Sequence, residues 1–187
     1  AGENPFFTEW DTPHGVPPFD KILPEHFMPA FERGMSLHEA EIDAITSNKD
    51  EATFENTILA YDNAGQMLAQ TELVFGMLCA AETNDRMQAL QEQAMPLLAA
   101  HRDKIRLDDK LFVRVKEVYD RRAALGLDAE QMRLLQKTYD SFVRAGALLD
   151  AEQKARLKEI NGQLSLTAVK FGNNILAENN NFVLELK

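Results

Sequence analysis

The pentapeptide Leu-Asp-Ala-Glu-Gln stands twice in this chain, at Leu127–Gln131 and again at Leu149–Gln153. In each copy a Gln follows an Asp by three residues, the spacing of a box that opens a helix. The Asp oxygen accepts from the third helical N–H, and the Gln side chain reaches back to the Asp N–H. Acidic side chains also suit the positive end of a helix. Two copies could signal a solenoid, but the flanking segments diverge, so the shared cause is capping. Asp128 and Asp150 therefore open two helices. The first reaches Gly146, and the second continues through Leu157, Ile160, Leu164, Leu166, Phe171 and Ile175 until Asn179-Asn180-Asn181 stops it.

The same period holds upstream. Phe27, Phe31, Met35, Ile42 and Ile45 trace a helical stripe between Pro24 and Ser47-Asn48. Thr53 can cap a second, long helix carrying Phe54, Ile58, Tyr61, Leu68, Phe75 and Leu78, with close helix approach expected near Gly65 and Gly76. A third helix spans about 85–105, with Pro96 inside to kink or split it. A fourth runs from Asp108 to Leu125, closed by Arg121-Arg122 and by Gly126 beyond.

Ahead of these, residues 1–24 carry Pro5, Pro13, Pro17, Pro18 and Pro24, which hold the backbone out of helical geometry. Phe6, Phe7, Trp10, Val16, Phe19, Ile22 and Leu23 sit among those prolines. Free solvent would penalise that much apolar surface, so the arm is expected to lie on a folded body. The expected fold is all-α: a multi-helix antiparallel bundle over 25–178 behind an extended proline-rich arm over 1–24. Residues 179–187 read as the start of a further segment, because Phe182–Leu186 looks like a strand with nothing to pair with. A tail docked on the helices is the other reading.

Composition narrows the function. Thirty acidic against twenty basic residues give a net charge of −10, which argues against phosphate-backbone binding and so against nucleic acid as a partner. The longest apolar run, Leu73–Ala81, is too short to span a bilayer, so a soluble chain is expected. Cys79, the single cysteine, reads as a buried inert thiol.

Two stretches imitate catalytic signatures. Leu37-His38-Glu39-Ala40-Glu41-Ile42 begins like the zinc motif H-E-x-x-H, but Ile42 occupies the position of the second imidazole. His38 is therefore read as an ordinary helix-surface residue, since a catalytic zinc takes three protein ligands. Glu39, Glu41 and Asp43 are read as a solvated acidic face. His101-Arg102-Asp103 resembles a kinase catalytic loop, but Asp108 replaces the metal-holding Asn and no glycine-rich loop accompanies it. It is read as a helix-end charge cluster. Met28, Met35, Met67 and Met77 read as core filler.

A resemblance supplies what those residues do not. Asn4-Pro5-Phe6-Phe7, Pro17-Pro18-Phe19-Asp20-Lys21-Ile22, His26-Phe27-Met28-Pro29-Ala30-Phe31 and Thr53-Phe54-Glu55-Asn56-Thr57-Ile58 follow one another in the order seen at the start of a zinc oligopeptidase. Pro96-Leu97-Leu98-Ala99, Asp109-Lys110-Leu111-Phe112, Phe142–Ala147 and Ile160-Asn161 continue the match. The chain resembles the N-terminal part of the thimet oligopeptidase family, closest to its bacterial peptidyl-dipeptidase branch, with the oligopeptidase A group near it.

The resemblance implies a larger helical enzyme whose two lobes enclose a channel for short peptides. Zinc would be the cofactor of that parent, held in a C-terminal catalytic lobe by H-E-x-x-H and a later Glu. None of those residues occurs here, so the chain is expected to hold no catalytic, cofactor-binding or metal residue and to be inactive alone. It would wall and roof the channel, with the catalytic lobe and short peptides as partners and C-terminal dipeptides as product. Bacterial cytoplasm is the expected setting, with the periplasm as alternative. Two competing readings remain: a self-standing helical interaction module, which would expose no apolar patch, and a surface metal site at His38.

Overall fold

Each capping signal in the sequence becomes a helix in the computed structural model, which describes residues 3–183. The α-helices are α1 (Phe27–Ser47), α2 (Ala60–Asp62), α3 (Gln66–Ala81), α4 (Asp85–Arg106), α5 (Asp109–Asp120), α6 (Ala129–Arg144) and α7 (Ala151–Asn181). The fold is all-α, with no strand among the described residues. The strand reading of Phe182–Leu186 falls mostly on residues 184–187, outside the described part.

Both pentapeptides form the predicted box. Asp128 Oδ1 accepts from the Gln131 N–H at 2.9 Å while Gln131 Oε1 accepts from the Asp128 N–H at 3.1 Å. At Asp150 the same two bonds measure 2.8 and 3.2 Å. Thr53 and Asn56 make a third such box, at 3.1 and 2.8 Å. Asp108 caps α5 through the Leu111 N–H at 2.8 Å.

The long helix expected after Thr53 is broken. Phe54–Leu59 is a π-helical turn, α2 follows for three residues, and a turn at Asn63-Ala64-Gly65 redirects the chain into α3. Gly65 has a φ of 75°, which L side chains rarely adopt, so the break is built into the residue. Apolar periodicity continues across that turn because both pieces bury apolar side chains, Phe54 and Ile58 in one core and Leu68 and Phe75 in another. The close helix approach is also not at Gly76, where an added Cβ would meet open space. The expected approach at Gly65 is present, a Cβ there meeting His38 of α1 at 2.9 Å, and a second lies at Gly34 on α1, where a Cβ would stand 3.0 Å from Leu68 Cα of α3.

Pro96 does not split α4, which runs through it as one element between α1 and α7. Buried Ala94, Leu98 and Ala99 flank the proline and anchor both halves. The helix opened by Asp108 ends at Asp120, earlier than Leu125, and tightens into a 3-10 turn at Arg122–Ala124. At that junction the Arg121 side chain bonds Glu51 and the Ala52 carbonyl.

Side by side the helices run α3, α1, α4, α7, with α5 and α6 packed beside α1 and the π-helical turn. Two cores result. The first joins Phe6 and Ile22 of the arm to Phe27, Phe31, Leu68, Phe75 and Leu98. Its rings interlock, Phe27 lying 4.9 Å from Phe75 and 5.3 Å from Phe6 between centroids. Burial of Phe6 contributes about 1.5–3 kcal/mol, which helps hold an arm whose only regular structure is short 3-10 turns at Pro5–Phe7, Pro13–Gly15 and Pro24–His26. Val16, Phe19 and Leu23 of the same arm stay exposed.

The second core gathers Ile42, Ile45, Ile58, Leu111, Val115, Leu135 and Phe142. Beside it the buried Arg114 clamps the 48–52 loop, donating to the Asn48 and Asp50 carbonyls at 3.1 Å each and to Asn56 Oδ1 at 3.1 Å. Among the described residues no helix is long and apolar enough to cross a membrane.

Candidate functional site

The two stretches that imitate catalytic motifs meet in space. His38 on α1 and His101 on α4 share a hydrogen bond, Nδ1 to Nε2, of 3.0 Å. His101 is 5% exposed and His38 half-buried, so His38 is not the ordinary surface residue its helix suggested. Sixty-three positions separate the two residues, and no local period could have paired them.

Their neighbours are bound in turn. Glu39 bridges to Lys104 at 2.7 Å and faces His101 Nδ1 at 3.5 Å. Glu41 accepts the Gly65 N–H at 2.6 Å, tying the left-handed turn to α1. A Cβ on Gly65 would sit 2.9 Å from His38 Nδ1, so the ring also needs the glycine. The expected acidic face is thus engaged at Glu39 and Glu41, while Asp43 is exposed.

Burial pushes both imidazoles below their ordinary value. His101 adds to that push on His38, whereas Glu39 opposes it on His101. Both rings are therefore neutral at pH 7, one donating and one accepting. Placing a proton on His101 Nδ1 turns it toward the Glu39 carboxylate and leaves Nε2 to accept from His38.

Beside the pair lies a cavity of about 190 Å³ lined by His38, Tyr61, Gly65, Glu72, His101 and Arg106. Burial raises the Tyr61 hydroxyl, and neighbouring Arg106 opposes the rise. Among the described residues no three His, Cys, Asp or Glu side chains gather as a metal ion needs. Ile42, where the zinc motif would place its second histidine, is buried in the second core. These residues do not fit a zinc site.

The kinase-like triplet separates into structural parts. Asp103 accepts from Asn161 Nδ2 of α7 at 2.9 Å, Arg102 faces Glu72 at 3.5 Å, and Asp108 is the α5 cap. Cys79 is half-buried, and burial raises its thiol, which keeps it protonated and unreactive. His26 accepts the Leu23 N–H at 3.1 Å, a local turn contact.

Arg106 also borders a second hollow, of about 460 Å³, whose other lining residues include Arg133, Lys137, Asp140, Ser141 and Arg144 of α6. Sequence reading missed it. The signal was present on α6, where Arg133, Lys137 and Arg144 share one helical face, but Arg106 joins them only through the packing of α4.

A third feature is the outer face of α7. Its inner face meets α4 through Val169, through Asn161 on Asp103 and through Asn173 on Glu92. Ile160, Leu164, Phe171 and Ile175 point away, with Leu164 61% and Phe171 65% exposed. At 100° per residue these four fall within an arc of about 60°, a continuous apolar stripe.

No family model matches the chain. It is 41% identical over 176 residues to the dipeptidyl carboxypeptidase of Escherichia coli (strain K12), a match covering 94% of this chain and 26% of that protein. The dipeptidyl carboxypeptidase of Salmonella typhimurium (strain LT2) is 38% identical over 93% of the chain, again across 26% of the relative. Oligopeptidase A of Escherichia coli (strain K12) is 24% identical over 88% of the chain and 24% of its own length. The chain spans about a quarter of the length of these curated relatives. The resemblance to the peptidyl-dipeptidase and oligopeptidase A proteins therefore stands.

Proposed function

We propose that this chain is the N-terminal helical section of a zinc metallopeptidase that hydrolyses short peptides and releases C-terminal dipeptides. One observation carries the reading: the chain matches proteins named dipeptidyl carboxypeptidase along nearly all of its length while spanning about a quarter of theirs. In this reading the zinc and its ligands belong to a catalytic lobe formed by polypeptide outside this chain. The present helices wall the peptide channel. A helical wall admits unfolded peptides and excludes folded proteins by size, and it keeps bulk water from the reacting bond. The expected compartment is the bacterial cytoplasm, with the periplasm as alternative.

The apolar stripe of α7 supports this reading. A surface of that kind calls for a partner, and the remaining polypeptide of such a peptidase is its natural cover. A self-standing interaction module predicts no such patch, so the structure favours the first reading.

The test is direct. The purified chain, incubated with short peptides, is expected to leave them intact. Cleavage that a chelator abolishes would show that the chain carries the activity itself. Adding the separately expressed catalytic lobe should restore release of dipeptides from peptide C-termini, and Leu164→Asp on the stripe should weaken that restoration. Full restoration with Leu164→Asp would remove the stripe from the argument.

A further inference from the structure

We propose that the hollow between the end of α4 and the outer face of α6 is a binding groove for an acidic peptide segment. Arg106, Arg133, Lys137 and Arg144 line it, and Asp140 is the one carboxylate among the lining residues. Asp140 itself accepts from Gln136 Nε2 at 2.9 Å. The groove therefore carries four cationic groups against one acid, on a chain whose net charge is −10.

That concentration is the informative point. Elsewhere Arg86, Arg102, Lys104, Lys116, Arg121, Lys154 and Arg156 each stand within ion-pair distance of a carboxylate. Among the described residues none of the four groove cations has such a partner; Lys49, Lys110, Lys158 and Lys170 also lack one, and what sets Arg106, Arg133, Lys137 and Arg144 apart is that all four line a single hollow. Like charges one turn apart, as at Arg133 and Lys137, repel and weaken a helix. In an acid-rich chain the simplest relief would be an internal carboxylate, and an external anion is the alternative that the geometry leaves open.

The spacing selects the kind of anion. Arg133, Lys137 and Arg144 share an arc of about 40°, and their backbone positions span about 16 Å along α6. Side chains on one face of an extended peptide repeat at about 6.5–7 Å, close to the roughly 6 Å between Arg133 and Lys137, and a carboxylate further along can reach Arg144 about 10.5 Å beyond Lys137. One compact anion would leave an end of the groove unneutralised. A nucleic-acid backbone would carry its phosphates beyond the groove over the surrounding acidic surface, whereas a short acidic segment can stay within it. Ser141, half-buried at the wall, adds a hydroxyl able to donate to a carboxylate. The inference requires no catalysis and stands apart from the peptidase reading.

The experiment uses a fluorescently labelled hexaglutamate peptide and the purified chain, with binding read as anisotropy. Saturable binding is expected at about 0.01 M salt and should weaken strongly by about 0.15 M, where the screening length falls from about 30 to about 8 Å. The double change Arg133→Glu with Lys137→Glu should weaken binding about tenfold or more, because two attractions become repulsions. The pair Lys158→Glu with Lys170→Glu, on exposed positions of α7, changes net charge equally and should leave affinity within about twofold. Unchanged helical circular dichroism confirms folding in both. Four results would each overturn the proposal: no saturable binding, equal loss in both double variants, equal binding of hexaglutamine, or displacement by an equal concentration of inorganic phosphate.

Discussion

Helices α6 and α7 begin with the same five residues and the same pair of capping bonds, yet they end in different environments. Over sixteen residues α6 buries Leu135, Thr138 and Phe142 in the second core. Over thirty-one residues α7 buries only Lys154 and Val169, and it turns an apolar stripe outward. A cap satisfies backbone groups at a helix end and so fixes where the helix starts. What covers its face depends on the elements packed beside it. For α6 those are α5 and the π-helical turn; for α7 they are chiefly α4, with Lys154 at its start also bonding the Leu107 carbonyl and Asp109 of α5.

The sharpest way to break this contrast is to truncate one large ring on each helix. Phe142 is fully buried, with Tyr61 at 5.2 Å and Phe112 at 6.1 Å between ring centroids. Phe142→Ala should cost about 3–5 kcal/mol in urea unfolding. Phe171→Ala on the exposed face of α7 should change stability by less than about 0.5 kcal/mol. Similar losses for the two would mean that the α7 stripe is covered in solution.

Next in size is the turn that both histidines frame. Gly65→Ala puts a Cβ on a left-handed residue and against His38, and should cost about 1–2 kcal/mol. A neutral result would show that the α1–α3 junction relaxes freely.

The caps should cost about 1 kcal/mol each when Asp128 or Asp150 becomes Ala. The readout separates them. Asp128→Ala is expected to lower the global unfolding midpoint, whereas Asp150→Ala should appear mainly as faster amide exchange in the first turns of α7. Equal global effects would make α7 as cooperative a part of the fold as α6.

Acid offers the smallest and most selective probe, because the histidine pair joins α1 to α4 without involving α6 or the α7 stripe. Both imidazoles are held below their ordinary value. The unfolded chain therefore takes up protons first as the pH falls through about 6.5. The stability that the neutral pair contributes is present above that pH and declines below it. The groups facing the pair are Glu39, Glu41, Glu72 and Lys104. The two nearer glutamates soften the decline on His38, and Glu39 and Glu72 soften it on His101. His101→Gln should flatten the dependence of the urea midpoint between about pH 7.5 and 5.5. An unchanged slope would assign the pH dependence to other groups.

Much of the fold was legible in the chain itself. Asp108, Asp128 and Asp150, with Thr53, announced helix starts correctly because a cap is a contact between residues two or three apart. The stripe Phe27, Phe31, Ile42 and Ile45 announced the buried face of α1. Less legible was the break at Gly65, since the apolar period runs through it, and the survival of α4 across Pro96, which depends on helices packed on both sides. Of the candidate site, the basic face of α6 was readable as Arg133, Lys137 and Arg144, but Arg106 was not.

The sequence alone settled the all-helical class, the capping positions and the likeness to bacterial peptidyl-dipeptidases, all carried by local spacing or by residue order. Only the tertiary structure joined His38 to His101, brought Arg106 to α6 and turned the apolar residues of α7 outward. Those outcomes depend on which helices lie side by side. That choice is made by the packing of large side chains between distant segments, and no short-range pattern encodes it.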